Sequence, residues 1–147
     1  MSKILAIFGV LGLVAVGLPS NAAAKGGAEG ATLLPTLDAT PCTVEVTVPN
    51  CESDGFGAAA TLKIGRANYL GIDVSNLITG QTYLVANNDV GLESCAGVLG
   101  SFSTGPAGGQ TATFPVASAA GFVSICREVD AVLVPVLTGE MGPLNGR

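Results

Sequence analysis

The sequence predicts an all-β protein, a Greek-key β-sandwich of eight or nine short strands preceded by a cleaved signal helix. Turn-forming Gly, Pro, Asn and Asp recur every eight to twelve residues or so, which leaves no room for a long helix with apolar residues at 3.6-residue spacing. Between the turns, apolar and polar residues alternate with period two, most clearly at Thr43–Val48, where Val44, Val46 and Val48 share one side. Eight or nine short strands cannot hide their apolar sides in one flat sheet, so two facing sheets are the expected solution.

Each strand has its own warrant. Thr32–Leu37 is the weakest, because Pro35 lacks the donor a central ladder needs. Ala58–Ile64 is read with Ala60, Leu62 and Ile64 inward, and a turn at Gly65–Asn68 leads into Tyr69–Val74, with Leu70, Ile72 and Val74 inward. These two form a predicted hairpin. Thr82–Asn87, Val98–Ser103, Thr111–Val116, Gly121–Cys126 and the Val-rich Ala131–Leu137 supply the rest. Aromatic residues are only 5% of the chain and Trp is absent, so Val, Leu, Ile and Ala must fill most of the core.

The N-terminus carries Lys3, an apolar run from Ile4 to Leu18, and then small residues to Ala24. That pattern predicts a signal peptide over 1–24, cut after Ala24, because a run of about 15 apolar residues is shorter than the roughly 20 needed to span a bilayer. Residues 25–30 are read as a flexible linker, 31–138 as the sandwich domain and 139–147 as a flexible tail. The expected localisation is secreted or periplasmic, with no membrane association after cleavage.

The whole chain carries a net charge of −5, and loss of Lys3 with the signal leaves −6. Its few basic residues are scattered, which argues against nucleic-acid binding. Cys42, Cys51, Cys95 and Cys126 make an even count in an exported chain, the pattern of two disulfides. No two lie within the two to four residues typical of a zinc site. The pairing argument assumes the strand at Thr43–Val48, which separates Cys42 from Val48 by about 20 Å. The remaining steps to Cys51 recover only about 10 Å, against the roughly 7 Å limit for bonding. Cys42 and Cys51 are therefore each expected to join one of Cys95 and Cys126.

The chain has no histidine, which excludes Ser-His-Asp and Cys-His catalysis and His-ligated metals. Paired carboxylates of a glycosidase would need aromatic platforms that two tyrosines and no Trp do not supply. The most prominent polar cluster is Asn87, Asn88, Asp89 and Glu93, hard oxygen ligands suited to calcium but without the acid-alternating loop. Asn and Asp also belong in turns on their own account. Glu52–Gly55 is read as a turn with both acids solvated, Lys63 and Arg66 as a solvated hairpin tip, and Tyr69 and Tyr83 as partly buried with their hydroxyls at the rim.

From Ala60 to Gly139 the order of signals runs through an apolar hairpin, then Val74, Leu77, Gly80 and Tyr83, then Leu99, Gly100, Phe102 and Thr104, a Gly108–Gly109 turn and a terminal Val-rich strand. This order resembles the secreted β-sandwich modules of the CHRD type, which are similar in outline to copper-zinc superoxide dismutase. The resemblance implies a sandwich. It transfers no metal site, because those enzymes hold their metals with histidines. The expected function is thus that of an exported non-enzymatic module with a structural or protein-interaction role, without catalytic residues or cofactor and with an unidentified protein or surface partner. The alternative is a small-ligand, glycan or calcium module using loops at one end of the sandwich, around Asn50–Phe56 and Asn87–Cys95.

Overall fold

The computed structural model describes residues 28–42 and 51–144. The predicted signal segment and the Thr43–Val48 strand lie outside them. Residues 30–142 form one compact unit, and the described residues outside it are 28, 29, 143 and 144 at the chain ends. Of the latter, Ala28 and Leu144 are joined by an amide-to-carbonyl hydrogen bond of 3.3 Å.

Among the described residues every regular element is a strand: β1 (Glu29–Pro35), β2 (Phe56–Ile64), β3 (Ala67–Ser75), β4 (Thr82–Asn88), β5 (Val98–Ser103), β6 (Gln110–Pro115), β7 (Phe122–Val129), β8 (Val132–Glu140) and the two-residue β9 (Gly142–Pro143). All residue ladders between them are antiparallel. They run in the order β5-β4-β7-β8-β1-β2-β3-β6, with β9 paired to β1. The two ends of this path meet. A Cβ built on Gly100 of β5 would lie 2.7 Å from the Phe114 ring of β6, so the ring rests on bare backbone and the sheet is nearly closed. Only glycine permits that approach.

Strand β1 changes partner halfway. Gly30–Leu33 pairs with β2, and Leu34–Pro35 with β8. Pro35 is tolerated because it is the last residue of its strand, which ends there rather than at Leu37. The ladder also extends beyond the expected domain limits, since Glu29 and Gly30 begin β1 while Gly139 and Glu140 end β8. The Gly-rich composition of these ends had suggested linker and tail, but backbone pairing needs no side chain.

The β2–β3 hairpin forms as expected, with a two-residue turn at Gly65–Arg66 and positive φ at Gly65. Its β3 face is also as expected: Leu70, Ile72 and Val74 are buried. The β2 face is the reverse of the expectation. Ala59 is buried, while Leu62 and Ile64 are 38% and 63% exposed. Register explains this: Ala59 lies opposite Ile72, so both point inward and Leu62 must point out. The core comprises the inward side chains of the strands together with Ala39, Leu77 and Met141 from the connections. Three aromatic residues join it, with Tyr83 and Phe102 stacked at 5.8 Å between ring centroids.

Candidate functional site

The densest polar constellation inside the protein centres on Glu52, which is fully buried. One carboxylate oxygen accepts from the Thr40 amide at 2.9 Å and from Arg127 Nη2 at 2.8 Å. The other accepts from the Tyr83 hydroxyl at 2.7 Å and from Arg127 Nε at 2.7 Å. The guanidinium thus clasps the carboxylate through two bonds, and Nη2 also donates to the Thr40 hydroxyl at 3.1 Å. The Tyr83 hydroxyl in turn accepts the Ile78 amide at 3.1 Å.

Local backbone places each member. Glu52 and Ser53 donate their amides to the Thr40 carbonyl, and the Gly55 amide closes a turn onto Glu52, aiming the carboxylate inward. Tyr83 alternates inward near the start of β4, and Arg127 does so near the end of β7, two residues beyond Ile125. Burial alone would raise the Glu52 pKa, but the Arg127, Thr40 and Tyr83 donors together hold it below the usual carboxylate range. Burial and the adjacent carboxylate push the Tyr83 hydroxyl up. The hydrogen bond to Glu52 raises Arg127 further.

Two sequence expectations are corrected here. Glu52 is not solvated, although Asp54 close by is exposed, because the Thr40 amide, the Tyr83 hydroxyl and Arg127 take up its carboxylate inside the protein. Tyr83 is not at the rim but fully buried, its hydroxyl satisfied inside the protein. Period-two alternation does place Arg127 on the same side as Ile125. That was the available signal, a cation on the core side of a strand, where only a buried acid can accommodate it.

The disulfides are Cys42–Cys51 and Cys95–Cys126, with Cα atoms 4.9 and 6.3 Å apart. The expected crossed pairing is therefore wrong. It rested on an extended run at 43–48, which lies outside the described residues, whereas the bond itself joins Cys42 to Cys51. Two disulfides are consistent with an extracellular or periplasmic protein.

The Asn87–Glu93 cluster is assembled, but its amides face the backbone. Asn87 donates to the carbonyls of Ala120 and Phe122 and accepts the Ala120 amide, so it ties the end of β4 to the β6–β7 connection. Asn88 donates to the Ser94 and Ala96 carbonyls and accepts the Val90 and Gly91 amides, folding the loop back on itself. Asp89 accepts the Gly121 amide at 2.6 Å, and the Glu93 amide donates to Thr138 Oγ1 at 2.9 Å. No group of three or more His, Cys, Asp or Glu stands ready for a metal among the described residues. The two suggested ligand loops do not open at one end, since Glu52 is tied to Tyr83 near the start of β4 and Asn87 lies at its far end.

The loop 89–97 has a further role that the sequence did not suggest. Ala86, Ser124 and Cys126 alternate away from the core, yet each is fully buried. The Cys95–Cys126 bond and the Glu93–Thr138 hydrogen bond draw this loop across the outside of β4, β7 and β8, roofing those residues. Small residues at outward positions were the only trace of it.

No family model, curated protein or solved structure matches the chain.

Proposed function

We propose that this chain is an exported, non-enzymatic module with a structural or protein-interaction role at the cell surface or in the periplasm, built on a Greek-key β-sandwich. The change of partner along β1 supports two facing sheets, one of β1-β2-β3-β6 and one of β5-β4-β7-β8 continued by the end of β1. If β5 and β6 are neighbours across their seam, β4, β5 and β6 follow one another with β7 beside β4, the spatial order of a Greek key.

The observation that carries the functional reading is the saturation of the Glu52 cluster. Both carboxylate oxygens, the Tyr83 hydroxyl and the Arg127 fork are spent on one another and on backbone groups. Groups of this kind hold parts of a fold together rather than meeting a substrate.

Mass spectrometry of exported protein tests the localisation, with a mature N-terminus at Lys25 expected and an intact Met1–Ala24 segment overturning it. Thermal melts with calcium, chelator and a panel of sugars test the function. A flat response is expected, whereas a rise in melting temperature with any of them moves the reading to a ligand-binding module.

A further inference from the structure

The 89–97 loop roofs the outside of β4, β7 and β8, and few bonds hold it there. Its base is closed by the Asn87 amide donating to the Gly97 carbonyl at 3.0 Å, and beside this joint Asp89 accepts the Gly121 amide. Asn88 gathers the loop's own Ser94 and Ala96 carbonyls. Onto β7 and β8 themselves the loop makes, among the described residues, one hydrogen bond and one covalent bond: the Glu93 amide to Thr138 Oγ1, and Cys95 to Cys126. None of its side chains joins the hydrophobic core, and its large apolar residues Val90 and Leu92 are 74% and 54% exposed. Apolar burial therefore does little to keep it down.

The closed shape also carries backbone strain. Glu93 has a φ of 62°, in the left-handed region that a residue with a Cβ enters only at a cost. The strands beneath do not depend on the roof. Residues 84–88 of β4 pair with β7, and β7 pairs with β8 along its whole length, while their inward side chains pack on the opposite side of the sheet. Freeing the loop is thus a local opening about the Asn87–Gly97 joint, and the sheet below stays intact. The two sulfurs are unequally placed for such a release. Cys126 is fully buried under the loop, whereas Cys95 is partly exposed, so Cys95 is the one an external thiol can reach.

We propose that Cys95–Cys126 is a redox latch, which a dithiol reductant opens to release the 89–97 loop and uncover Ala86, Ser124 and Cys126 while the sheet stays folded. One thiolate of the dithiol attacks Cys95 Sγ and the Cys126 thiolate leaves. The second thiol then displaces Cys95 from the mixed disulfide. The protein bond takes up two electrons and two protons to become two thiols, and the dithiol becomes a disulfide. Reoxidation closes the loop. The latch goes beyond the interaction reading and does not rest on it.

The test is graded reduction of the chain, as the exporting cell processes it, in mixtures of reduced and oxidised dithiothreitol. Thiols are trapped by alkylation and mapped by mass spectrometry, with circular dichroism and hydrogen exchange read at the same ratios. Cys95 and Cys126 are expected to be alkylated at a ratio where the sheet signal is retained. There the Glu93 amide, having lost Thr138, exchanges at least about tenfold faster, while the Ile125 amide inside the β4–β7 ladder keeps its protection. Cys95→Ser cuts the latch without reductant, and its Cys126 thiol is expected to react with a maleimide in the folded protein. A sheet signal lost in step with alkylation of Cys95 and Cys126 overturns the proposal, as does a Glu93 amide unchanged by reduction. So does a Cys126 in Cys95→Ser that reacts only after denaturant is added.

Discussion

Glu52 and Arg127 lie 75 positions apart in the chain, each immediately follows a disulfide-bonded cysteine, and their side chains meet at 2.7 Å inside the protein. The disulfides fix the backbone on either side of an ion pair whose own ordering would otherwise cost side-chain entropy. Glu52 is fully buried and the Arg127 side chain is 16% exposed, so removing either partner strands the other in a medium that solvates it poorly.

Arg127→Met is therefore expected to lower stability by about 3–5 kcal/mol, because it leaves the Glu52 carboxylate without its cation. The double variant Arg127→Met with Glu52→Gln is expected to recover part of that loss. Denaturant titrations of the three proteins measure both effects, and a single variant as stable as the parent contradicts the buried pair.

The same pair sets the acid limit. The folded Glu52 pKa lies below the unfolded value of 4.5, so its contribution is fully present above that value and is lost as pH falls through the folded one. For Tyr83 the folded pKa is raised, so its contribution holds below the unfolded value of 10.0 and declines as pH rises beyond it. Melting temperature against pH should fall on both sides. Glu52→Gln is expected to flatten the acid side, and Tyr83→Phe the alkaline side at a cost of about 1–3 kcal/mol in neutral buffer.

The β7–β8 hairpin turns through Asp130 and Ala131, both with positive φ, 51° and 66°. Alanine has no side-chain group to compensate for that backbone, which glycine adopts without penalty. Ala131→Gly is expected to stabilise by about 0.5–1 kcal/mol, read as a higher melting temperature, whereas a decrease would mean that the turn has another geometry.

Peptide mapping without reduction is expected to recover Cys42 with Cys51 and Cys95 with Cys126. Their sequence separations are 9 and 31, for which chain entropy gives about 2.5 and 4 kcal/mol. Replacing both Cys95 and Cys126 by Ala is thus the costlier change. It is also expected to expose the amides around Ala86 and Ser124 to hydrogen exchange, because the roofing loop loses its tether. Unchanged protection there would contradict the roof.

Sequence by itself determined most of the described strands. Periodicity and turn residues are local properties, and β3, β4 and β5 fall within two residues of where the alternation placed them. It also determined the β2–β3 hairpin, since Gly65 supplies the positive φ that the turn requires. Which side of β2 faces inward was decided only by pairing: Ala59 and Ala60 are equally apolar, and the register with Ile72 chose between them. The disulfide partners and the fate of Glu52 were likewise tertiary. An acid in a turn normally meets water, and nothing near Glu52 in the chain announces that Arg127 and Tyr83 will be brought to it. Local backbone preference is written residue by residue, whereas the neutralisation of a buried charge depends on which distant strand the closing sheet sets beside it.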